Sequence, residues 1–229
     1  MGVHFITGAG SGIGAAVAGL LAERGEDLWL LARDEERAEV LRSRFPGCRT
    51  LAADLAEPAA LAAELEKQGL PERLDSLLHV AGVLEPGTVA EFDVGAWQAM
   101  LAVNFLAPAE LTRLLLPALR AAPGRVVFVN SGAGLHAPPR LGGYAASKFA
   151  LRALAESLRA EEFRNGVRVT TVFPGEVDTP MQVRLHGALG LPYEPDICLT
   201  VDSVATALAG VLDFPPDGTL SELTIRPGC

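Results

Sequence analysis

The stretch that decides the fold is Thr7-Gly8-Ala9-Gly10-Ser11-Gly12-Ile13-Gly14. It follows a short apolar run and precedes a segment with helical spacing of apolar residues, so it lies where a first strand becomes a first helix. Glycines at positions 8, 12 and 14 allow a tight turn and let the backbone approach a pyrophosphate, whose charge is favoured by the unpaired N–H groups of a helix start. An ordinary glycine-rich turn is the alternative for so short a motif. The strand before it and the helix after it favour a dinucleotide site.

The same alternation of strand and helix continues along the chain. The predicted strands are 3–7, 27–32, 50–53, 74–80, 125–130, 167–173 and 223–226, and the predicted helices are about 12–24, 34–44, 57–69, 95–121, 142–165 and 201–213. Such βαβ alternation, with strands apolar on both faces, predicts an α/β fold in which helices cover both sides of a parallel sheet. No repeat or linker interrupts the pattern, so we expect residues 1–229 to form a single domain.

Composition favours a small-molecule function. The net charge of −9 opposes association with nucleic acid or an acidic membrane surface. We see no run of about 18 uncharged apolar residues, which a membrane helix needs, and no basic leader before the first strand, so a cytoplasmic location is expected. The three cysteines, Cys48, Cys198 and Cys229, are widely spaced and predict free thiols, with no disulfide framework and no metal site.

The end of the second predicted strand bears on cofactor choice. In a dinucleotide fold, a carboxylate at this point accepts the ribose 2′-OH of NAD, and an arginine accommodates the 2′-phosphate of NADP. Arg33 stands there, followed by Asp34, so the sequence favours NADP(H) over NAD(H). The alternatives are that Asp34 takes the ribose, or that it merely caps a solvated helix. Asp54 and Leu55, after the third strand, are expected near the adenine edge, with a helix N-cap as the alternative for Asp54.

A tyrosine and a lysine four residues apart form the second functional signal. On a helix over 142–165, Tyr144 and Lys148 lie on one face, about one turn apart. Tyrosine ionises near pH ~10, and moving that pKa to about 7 takes roughly 4 kcal/mol, which a nearby cation helps to supply. The pair therefore predicts acid–base chemistry.

Taken together, TGAGSGIG, Asp54, Asn104, Ser131 and the Tyr144-to-Lys148 spacing occur in the order found in the short-chain dehydrogenase/reductase family. The chain resembles this family over nearly its whole length, and the combination is more specific than any one motif. The resemblance implies a Rossmann-like, doubly wound sheet of parallel strands in the order 3-2-1-4-5-6-7. It also implies that the four polar residues meet above the carboxyl edge of the sheet, where open α/β folds bind ligands.

The resemblance gives each of these residues a role. Tyr144 is implied to be the general acid/base that gives a proton to the substrate oxygen in reduction or takes it in oxidation, and Lys148 to bind the nicotinamide ribose and keep the phenol acidic. Ser131 would polarise the substrate carbonyl, and Asn104 would hold a water in a proton relay to Lys148. Each residue also has an alternative without a catalytic role. Tyr144 could be a surface aromatic, Lys148 part of a solvated helix face, Ser131 a loop hydroxyl and Asn104 a buried amide. The joint spacing disfavours these alternatives.

The resemblance also implies contacts with the cofactor beyond the glycine-rich loop. Residues 174–180 are similar to the family's Pro-Gly segment beside the nicotinamide, where Val177 would meet the carboxamide and Thr179 a phosphate oxygen or the carboxamide; a turn capped by Thr179 is the alternative. The full predicted set is Gly8, Ser11, Gly12, Ile13, Gly14, Arg33, Asp54, Leu55, Ala81, Gly82, Asn104, Tyr144, Lys148, Pro174, Gly175, Val177 and Thr179.

One departure from the family pattern follows the fourth strand. Where the family usually has Asn-Asn-Ala-Gly, this chain has His79-Val80-Ala81-Gly82. Ala81 and Gly82 keep the small surface that lets the adenosine ribose approach, but Val80 replaces the asparagine that usually ties neighbouring strands. The bonding of the sheet at this point is therefore in question. His79 is interpreted as a packed strand residue, and His136 as loop variation, with substrate contact as its alternative.

The resemblance implies that the segment after the Pro-Gly turn, here about 181–200, selects the substrate. We expect the same segment to act as a mobile lid, because it is short and rich in glycine and proline. Its apolar residues predict a neutral, fairly apolar carbonyl compound or alcohol, with ordinary helix packing as the alternative: Met181, Val183, Leu185, Leu189, Leu191 and Tyr193. The leading hypothesis is an NADP-preferring oxidoreductase, and the alternative is a non-catalytic dinucleotide-binding sensor or scaffold. The resemblance implies a homodimer or homotetramer paired through the helices at 95–121 and 142–165.

Overall fold

Seven parallel strands form one sheet in the computed structural model, which describes residues 1–228. The strands are β1 Val3–Thr7, β2 Asp27–Ala32, β3 Arg49–Ala52, β4 Ser76–His79, β5 Arg125–Val129, β6 Arg168–Pro174 and β7 Glu222–Ile225. Their order across the sheet is β3-β2-β1-β4-β5-β6-β7. The predicted Rossmann-like topology is confirmed, and the order reverses between β1 and β4, which is where such sheets open a ligand crevice.

Eight α-helices connect the strands of this sheet. They are α1 Gly12–Glu23, α2 Glu35–Arg44, α3 Leu61–Gln68, α4 Val94–Leu101, α5 Ala107–Ala121, α6 Gly142–Glu162, α7 Pro180–Leu189 and α8 Val201–Asp213. Successive strand residues point to opposite faces, so Phe5 and Leu77 pack under α3, α5 and α6, whereas Ile6 and Leu78 pack under α1, α2 and α8. The two apolar layers explain why the strand sequences are apolar on both faces.

The helix predicted over 95–121 contains an irregular turn. Residues Ala102–Leu106 between α4 and α5 form a π-helical segment with Asn104, 1% exposed, at its centre. Pro108 follows in the first turn of α5. Proline has no backbone N–H, so Pro108 removes the usual helical donor to the carbonyl of Asn104. The irregular turn therefore has a local cause, and π segments of this kind are frequent at functional sites.

By length and composition alone, the continuous helix over Val94–Ala121 is able to cross a membrane, which the sequence analysis did not anticipate. Its residues Met100, Leu111, Leu115 and Leu119 are almost fully buried in the protein's own interior. Packing inside the protein therefore accounts for part of the apolar character of this helix, because 39% of its most apolar window is buried.

The predicted lid is largely helical. Thr179 caps α7 by accepting a hydrogen bond from the backbone N–H of Gln182, and the helix ends at Gly190, whose φ is +66°. Helix α7 was absent from the predicted helices, and it occupies the first half of the segment that was expected to be a lid. Beyond α7 the chain returns to the segment that precedes this helix. The N–H of Leu199 donates to the carbonyl of Glu176 at 2.8 Å, and the N–H of Asp178 donates to the carbonyl of Leu199 at 2.8 Å.

Candidate active site

A cavity of about 900 Å³ opens above the carboxyl edge of the sheet. Its walls come from the loops that follow β1, β4, β5 and β6, together with α7 and the chain after β7. The glycine-rich loop, the turn at 80–82, Ser131, Tyr144, Lys148 and the Pro-Gly segment all line it. Segments far apart in sequence thus meet at one place because parallel strands all end at the same edge.

The glycine-rich loop leaves no room for a side chain at Gly8 or at Gly14. Gly8 has a φ of +78°, and a Cβ there would lie 2.8 Å from the backbone nitrogen of Ala81. A Cβ on Gly14 would clash with the carbonyl of Gly8. Ser11 is the N-cap of α1, yet its side chain makes no capping hydrogen bond. The N–H groups of the helix start are therefore available to an anion, so these residues fit the pyrophosphate of a dinucleotide.

The Pro-Gly segment approaches the glycine-rich loop. A Cβ on Gly12, where φ is +52°, would lie 3.2 Å from the side-chain methyl of Thr179. The alternative role of Thr179 as a helix cap is also realised, since its hydroxyl accepts from Gln182. Val177 is buried and forms a bridge with Leu199. The predicted cofactor residues on these two segments therefore face one space.

Thr7 takes over the connection between strands that Val80 cannot make. The hydroxyl oxygen of Thr7 accepts hydrogen bonds from the backbone N–H groups of Val80 and Ala81, both at 3.1 Å. Thr7 is 1% exposed. The strand end at β4 is therefore bonded to β1 without the family's usual asparagine, and sequence reasoning missed this role of Thr7.

His79, the first residue of the departure, is packed as the sequence predicted. Its ring stacks on Phe128 with centroids 4.9 Å apart, and its Nε2 lies 2.9 Å from the hydroxyl of Thr112. Burial lowers the pKa of His79 to about 3, so the ring stays neutral. His136, in contrast, is exposed at the mouth of the cavity beside Gly132.

Tyr144 and Lys148 are both buried in the wall of the cavity. The Nζ of Lys148 lies 5.7 Å from the ring centroid of Tyr144 and donates a hydrogen bond to the carbonyl of Val129 at 3.0 Å. Burial lowers the pKa of Lys148 to about 8. Burial also raises the pKa of Tyr144 to about 12, against which the nearby hydroxyl of Ser131 acts in the lowering direction. The expectation that the lysine brings the phenol pKa down toward 7 is wrong for this structure, because desolvation is the dominant effect.

Asn104 stands behind the cavity wall with its side chain fully engaged. Its Oδ1 accepts from the N–H of Val83 at 2.8 Å, and its Nδ2 donates to the carbonyl of Val83 at 2.8 Å and to the hydroxyl of Ser147 at 2.9 Å. A Cβ on Gly82 would lie 3.2 Å from Asn104 Oδ1 and 3.7 Å from Lys148 Nζ. The glycine therefore keeps the asparagine and the lysine close together.

Asn130 was missed by the sequence analysis, although it directly precedes Ser131. Its Nδ2 donates to the backbone carbonyl of Lys148 at 3.0 Å, and its Oδ1 accepts from the N–H of Ser131 at 2.8 Å. One amide thus fixes the distance between the loop that carries the serine and the helix that carries the tyrosine and lysine. A polar residue at the end of an apolar strand was the signal available in the sequence.

Four predicted cofactor residues are not among the described residues that line the cavity, namely Arg33, Asp54, Leu55 and Asn104. The guanidinium of Arg33 is exposed, and its Nε lies 3.5 Å from the carboxylate of Asp34. Asp34 caps α2 by accepting from the N–H of Arg37 at 2.8 Å. Asp54 accepts from the N–H of Ala56, which closes a local turn before the short helix that follows. The alternative of a helix cap is thus realised for Asp34, whereas the N-cap of the short helix after Asp54 is Glu57.

The lid contributes fewer side chains to the cavity than predicted. Met181 and Leu185 line it, whereas the other four predicted apolar residues of this segment do not. The hydroxyl of Tyr193 instead donates to the carboxylate of Asp178 at 2.5 Å. The remaining apolar wall comes from residues outside the segment: Leu84, Pro138, Leu141 and Ile197 among them.

No group of histidine, cysteine or acidic residues suited to a metal ion occurs within residues 1–228. Cys48 and Cys198 are free thiols, and Cys229 lies outside the described residues.

An open parallel sheet with a glycine-rich loop at the reversal of strand order is the architecture of dinucleotide-binding enzymes. Residues 3–188 match the family model for short chain dehydrogenases. Dehydrogenase/reductase SDR family member 11 of Bos taurus is 32% identical over 97% of this chain and 94% of its own length. An uncharacterized oxidoreductase of Staphylococcus saprophyticus is 30% identical over 98% of this chain and 97% of its own.

Solved structures agree with these relatives. A short chain dehydrogenase/reductase family protein superposes with a TM-score of 0.83 at 29% identity, covering 99% of this chain and 96% of its own. An alcohol dehydrogenase from the archaeon Thermococcus sibiricus, complexed with 5-hydroxy-NADP, gives a TM-score of 0.81 at 28% identity, with coverages of 100% and 97%. The chain therefore belongs to the short-chain dehydrogenase/reductase family, and it is an oxidoreductase.

Proposed function

We propose that the protein transfers a hydride between a nicotinamide cofactor, NADP(H) in preference to NAD(H), and a carbonyl or secondary alcohol of a small, fairly apolar substrate. The observation that carries the proposal is the burial of Tyr144 and Lys148 in one cavity wall beside Ser131. A bound nicotinamide would supply or accept the hydride. The protein's own residues then have to orient the substrate oxygen and to hold or release one proton.

Tyr144 is proposed as the group that exchanges this proton. Because burial raises the pKa of Tyr144 to about 12, the phenol keeps its proton at neutral pH and is ready to donate it during reduction of a carbonyl. The hydroxyl of Ser131 lies close enough to affect that pKa, so the two O–H groups are placed to bind the same substrate oxygen. We assign Lys148 to the nicotinamide ribose, since its Nζ lies at the cavity wall between Gly82 and Val129.

Asn104 is proposed to support the proton relay through its backbone. Its side-chain amide is occupied by Val83 and Ser147, whereas Pro108 supplies no N–H to its carbonyl. The carbonyl oxygen of Asn104 is therefore the atom that we assign to a relay water leading to Lys148.

Arg33 supports the preference for NADP(H). Its side chain is 67% exposed at the end of β2, and the neighbouring Asp34 is engaged as a helix cap. The guanidinium is thus accessible to a 2′-phosphate despite its 3.5 Å contact with Asp34, whose carboxylate also caps α2.

We also propose a cytoplasmic homodimer or homotetramer without nucleic-acid or membrane partners. Support for association comes from apolar side chains exposed on the long helices, including Leu106 at 45% and Phe149 at 42%. Support for the absence of polyanionic partners comes from the net charge of −9. Sedimentation equilibrium at micromolar concentration tests the oligomeric state, and a monomeric mass argues against it.

The proposed reaction is tested by NADPH oxidation with a panel of ketones, aldehydes and keto esters. Tyr144→Phe is expected to lower kcat by about 10²–10⁴-fold, as for loss of a general acid, with the affinity for NADPH unchanged. Tyr193→Phe is a matched control, because Tyr193 hydrogen-bonds Asp178 away from the cavity lining. Full activity of Tyr144→Phe removes the assignment. Tight NADPH binding without turnover of any carbonyl favours the alternative, a dinucleotide sensor or scaffold.

A further inference from the structure

A single guanidinium reaches the reacting end of the cavity from the last strand. Arg226 follows β7 directly, and its side chain crosses the end of β6, where one Nη donates to the carbonyl of Phe173 at 3.3 Å. The Nη atoms of Arg226 lie 3.5 and 3.7 Å from the place that a Cβ on Gly132 would take. Gly132 adjoins Ser131, which is assigned to the substrate oxygen. Although the residue as a whole is exposed, these contacts place its guanidinium at the cavity wall beside Gly132.

This positive charge has no partner in the described chain. No carboxylate within residues 1–228 forms an ion pair with Arg226, and Glu176 is the one acidic residue among those that line the cavity. Glu176 itself faces His186, with Oε2 3.7 Å from Nε2. A guanidinium has five N–H donors in a planar fork that matches a carboxylate, and the bond to Phe173 uses one of them.

The phosphates of the cofactor are too far away to be the partner of Arg226. The phosphate loop follows β1, whereas the guanidinium rests on β6, and β4 and β5 lie between them. Two to three strand spacings of about 4.8 Å separate the two places by roughly 10–14 Å. The substrate is therefore the source of an anion that best fits Arg226.

We propose that Arg226 binds a carboxylate on the substrate, so that the enzyme acts on short oxo acids or hydroxy acids. This inference rests on the proposed function and makes its substrate class more specific. Gly132 adjoins Ser131 in the chain, so a carbonyl oxygen at Ser131 and a carboxylate at Arg226 fit within one short molecule. Leu141, Met181 and Leu185 then enclose the apolar remainder.

The test compares each acid with its methyl ester, which removes the charge and keeps the reacting carbon. Pyruvate, acetoacetate and their methyl esters are reduced with NADPH by the wild-type protein and by Arg226→Gln. The acid-to-ester ratio of kcat/KM is expected to fall by about 10- to 100-fold in the variant, as for loss of a charge-assisted hydrogen bond. The intrinsic reactivities of the compounds cancel when the ratios of the two proteins are compared. Arg226→Lys, which keeps the charge and loses the fork, is expected to give an intermediate ratio.

Arg184→Gln is the matched control, because Arg184 is exposed on α7 and also lines the cavity. Its acid-to-ester ratio is expected to equal that of the wild type. Butyrate, which cannot react, should inhibit ester reduction competitively in the wild type and about 10-fold more weakly in Arg226→Gln.

Three outcomes overturn the inference while leaving the proposed reaction intact. The first is an unchanged acid-to-ester ratio of kcat/KM in Arg226→Gln, and the second is a fall in this ratio in Arg184→Gln alone. The third is an equal loss of kcat/KM for acids and esters in Arg226→Gln together with a raised KM for NADPH, which would assign Arg226 to the cofactor. Absence of turnover of any carbonyl by the wild type with either NADPH or NADH is a different result, because it refutes the proposed function itself.

Discussion

Replacing Lys148 with methionine should stabilise the protein at neutral pH while removing its activity. Lys148 is 4% exposed, and burial lowers its pKa from 10.5 to about 8. A lowered lysine pKa means that the folded state holds the proton less tightly than the unfolded state. The burial penalty is therefore complete below about pH 8 and is relieved as the pH rises from 8 to 10.5. Each pKa unit corresponds to 1.36 kcal/mol, so the penalty is about 3 kcal/mol.

One opposing contribution reduces this gain. The Nζ of Lys148 donates to the carbonyl of Val129 at 3.0 Å, and methionine leaves that carbonyl without its donor, which costs about 1–2 kcal/mol. Methionine has a similar length and no charge, so it fills the space that the lysine side chain occupies. At pH 7 we therefore expect Lys148→Met to unfold with a free energy about 1–2 kcal/mol above that of the wild type.

Urea denaturation at pH 7 and pH 9.5 measures the effect. From pH 7 to pH 9.5 the free energy of unfolding of the wild type should rise by about 2 kcal/mol relative to that of Lys148→Met, because Lys148 titrates only in the wild type. The difference between the free energies of unfolding of the two proteins at each pH is free of the contributions from the tyrosines and cysteines that both proteins contain. Lys67 is the other lysine of the chain and is exposed, so Lys67→Met is the control and should show no pH-dependent difference.

A difference between Lys148→Met and the wild type that does not change with pH would refute the reasoning. It would mean that the ammonium is solvated or paired in solution and pays no burial penalty. Loss of stability at both pH values would instead show that the bond to Val129 outweighs the desolvation.

Three further predictions concern the strand connection, the cofactor and the proton. Thr7→Val leaves two partly buried N–H groups without their acceptor and should lower the free energy of unfolding by about 1–3 kcal/mol in the same urea assay; a loss within error of zero would contradict the special role of Thr7. Thr112→Val leaves the buried Nε2 of His79 without its partner and should also cost about 1–3 kcal/mol, so the KM for NADPH is the measurement that distinguishes the two variants. Arg33→Asp should reduce the NADPH-to-NADH ratio of kcat/KM by about 10- to 100-fold, and an unchanged ratio would remove Arg33 from the cofactor site. Because the pKa of Tyr144 is raised to about 12, the rate of carbonyl reduction should not fall through ionisation of this phenol below about pH 11, while alcohol oxidation should still be rising at pH 9; oxidation that is already maximal at pH 7 would show that the phenol is acidic after all.

Local patterns predicted the fold and much of the site. The turn at Gly8–Gly14 and the alternation of strands and helices depend on neighbours in sequence, and the topology confirms them. The spacing of Tyr144 and Lys148 on one helix likewise follows from local geometry. Helix α7 was missed because Gly187 and the following prolines resemble a loop, although Thr179 provides a cap and Gly190 an end.

The properties that were predicted wrongly or missed depend on contacts between distant parts of the chain. The pKa of Tyr144 is set by burial under residues from several elements, and no spacing within one helix reports this. Asn130 acts through two partners, Ser131 and the backbone of Lys148, so its role appears only when β5 and α6 are seen side by side. Hydrogen-bond networks of this kind are specified by the whole fold rather than by a motif.

The departure at Val80 shows how one local exchange is absorbed by a neighbouring strand. An asparagine at that position would tie adjacent strands with its own side chain, and valine offers no hydrogen bond. Thr7 instead accepts from the N–H groups of both Val80 and Ala81, at the point where Gly8 approaches Ala81 most closely. The same threonine therefore holds the sheet together and sets the separation of the two loops that would contact a dinucleotide. Because stability and cofactor affinity depend on the same two hydrogen bonds, Thr7→Val should raise the KM for NADPH together with the loss of folding free energy, whereas Thr112→Val should change stability alone.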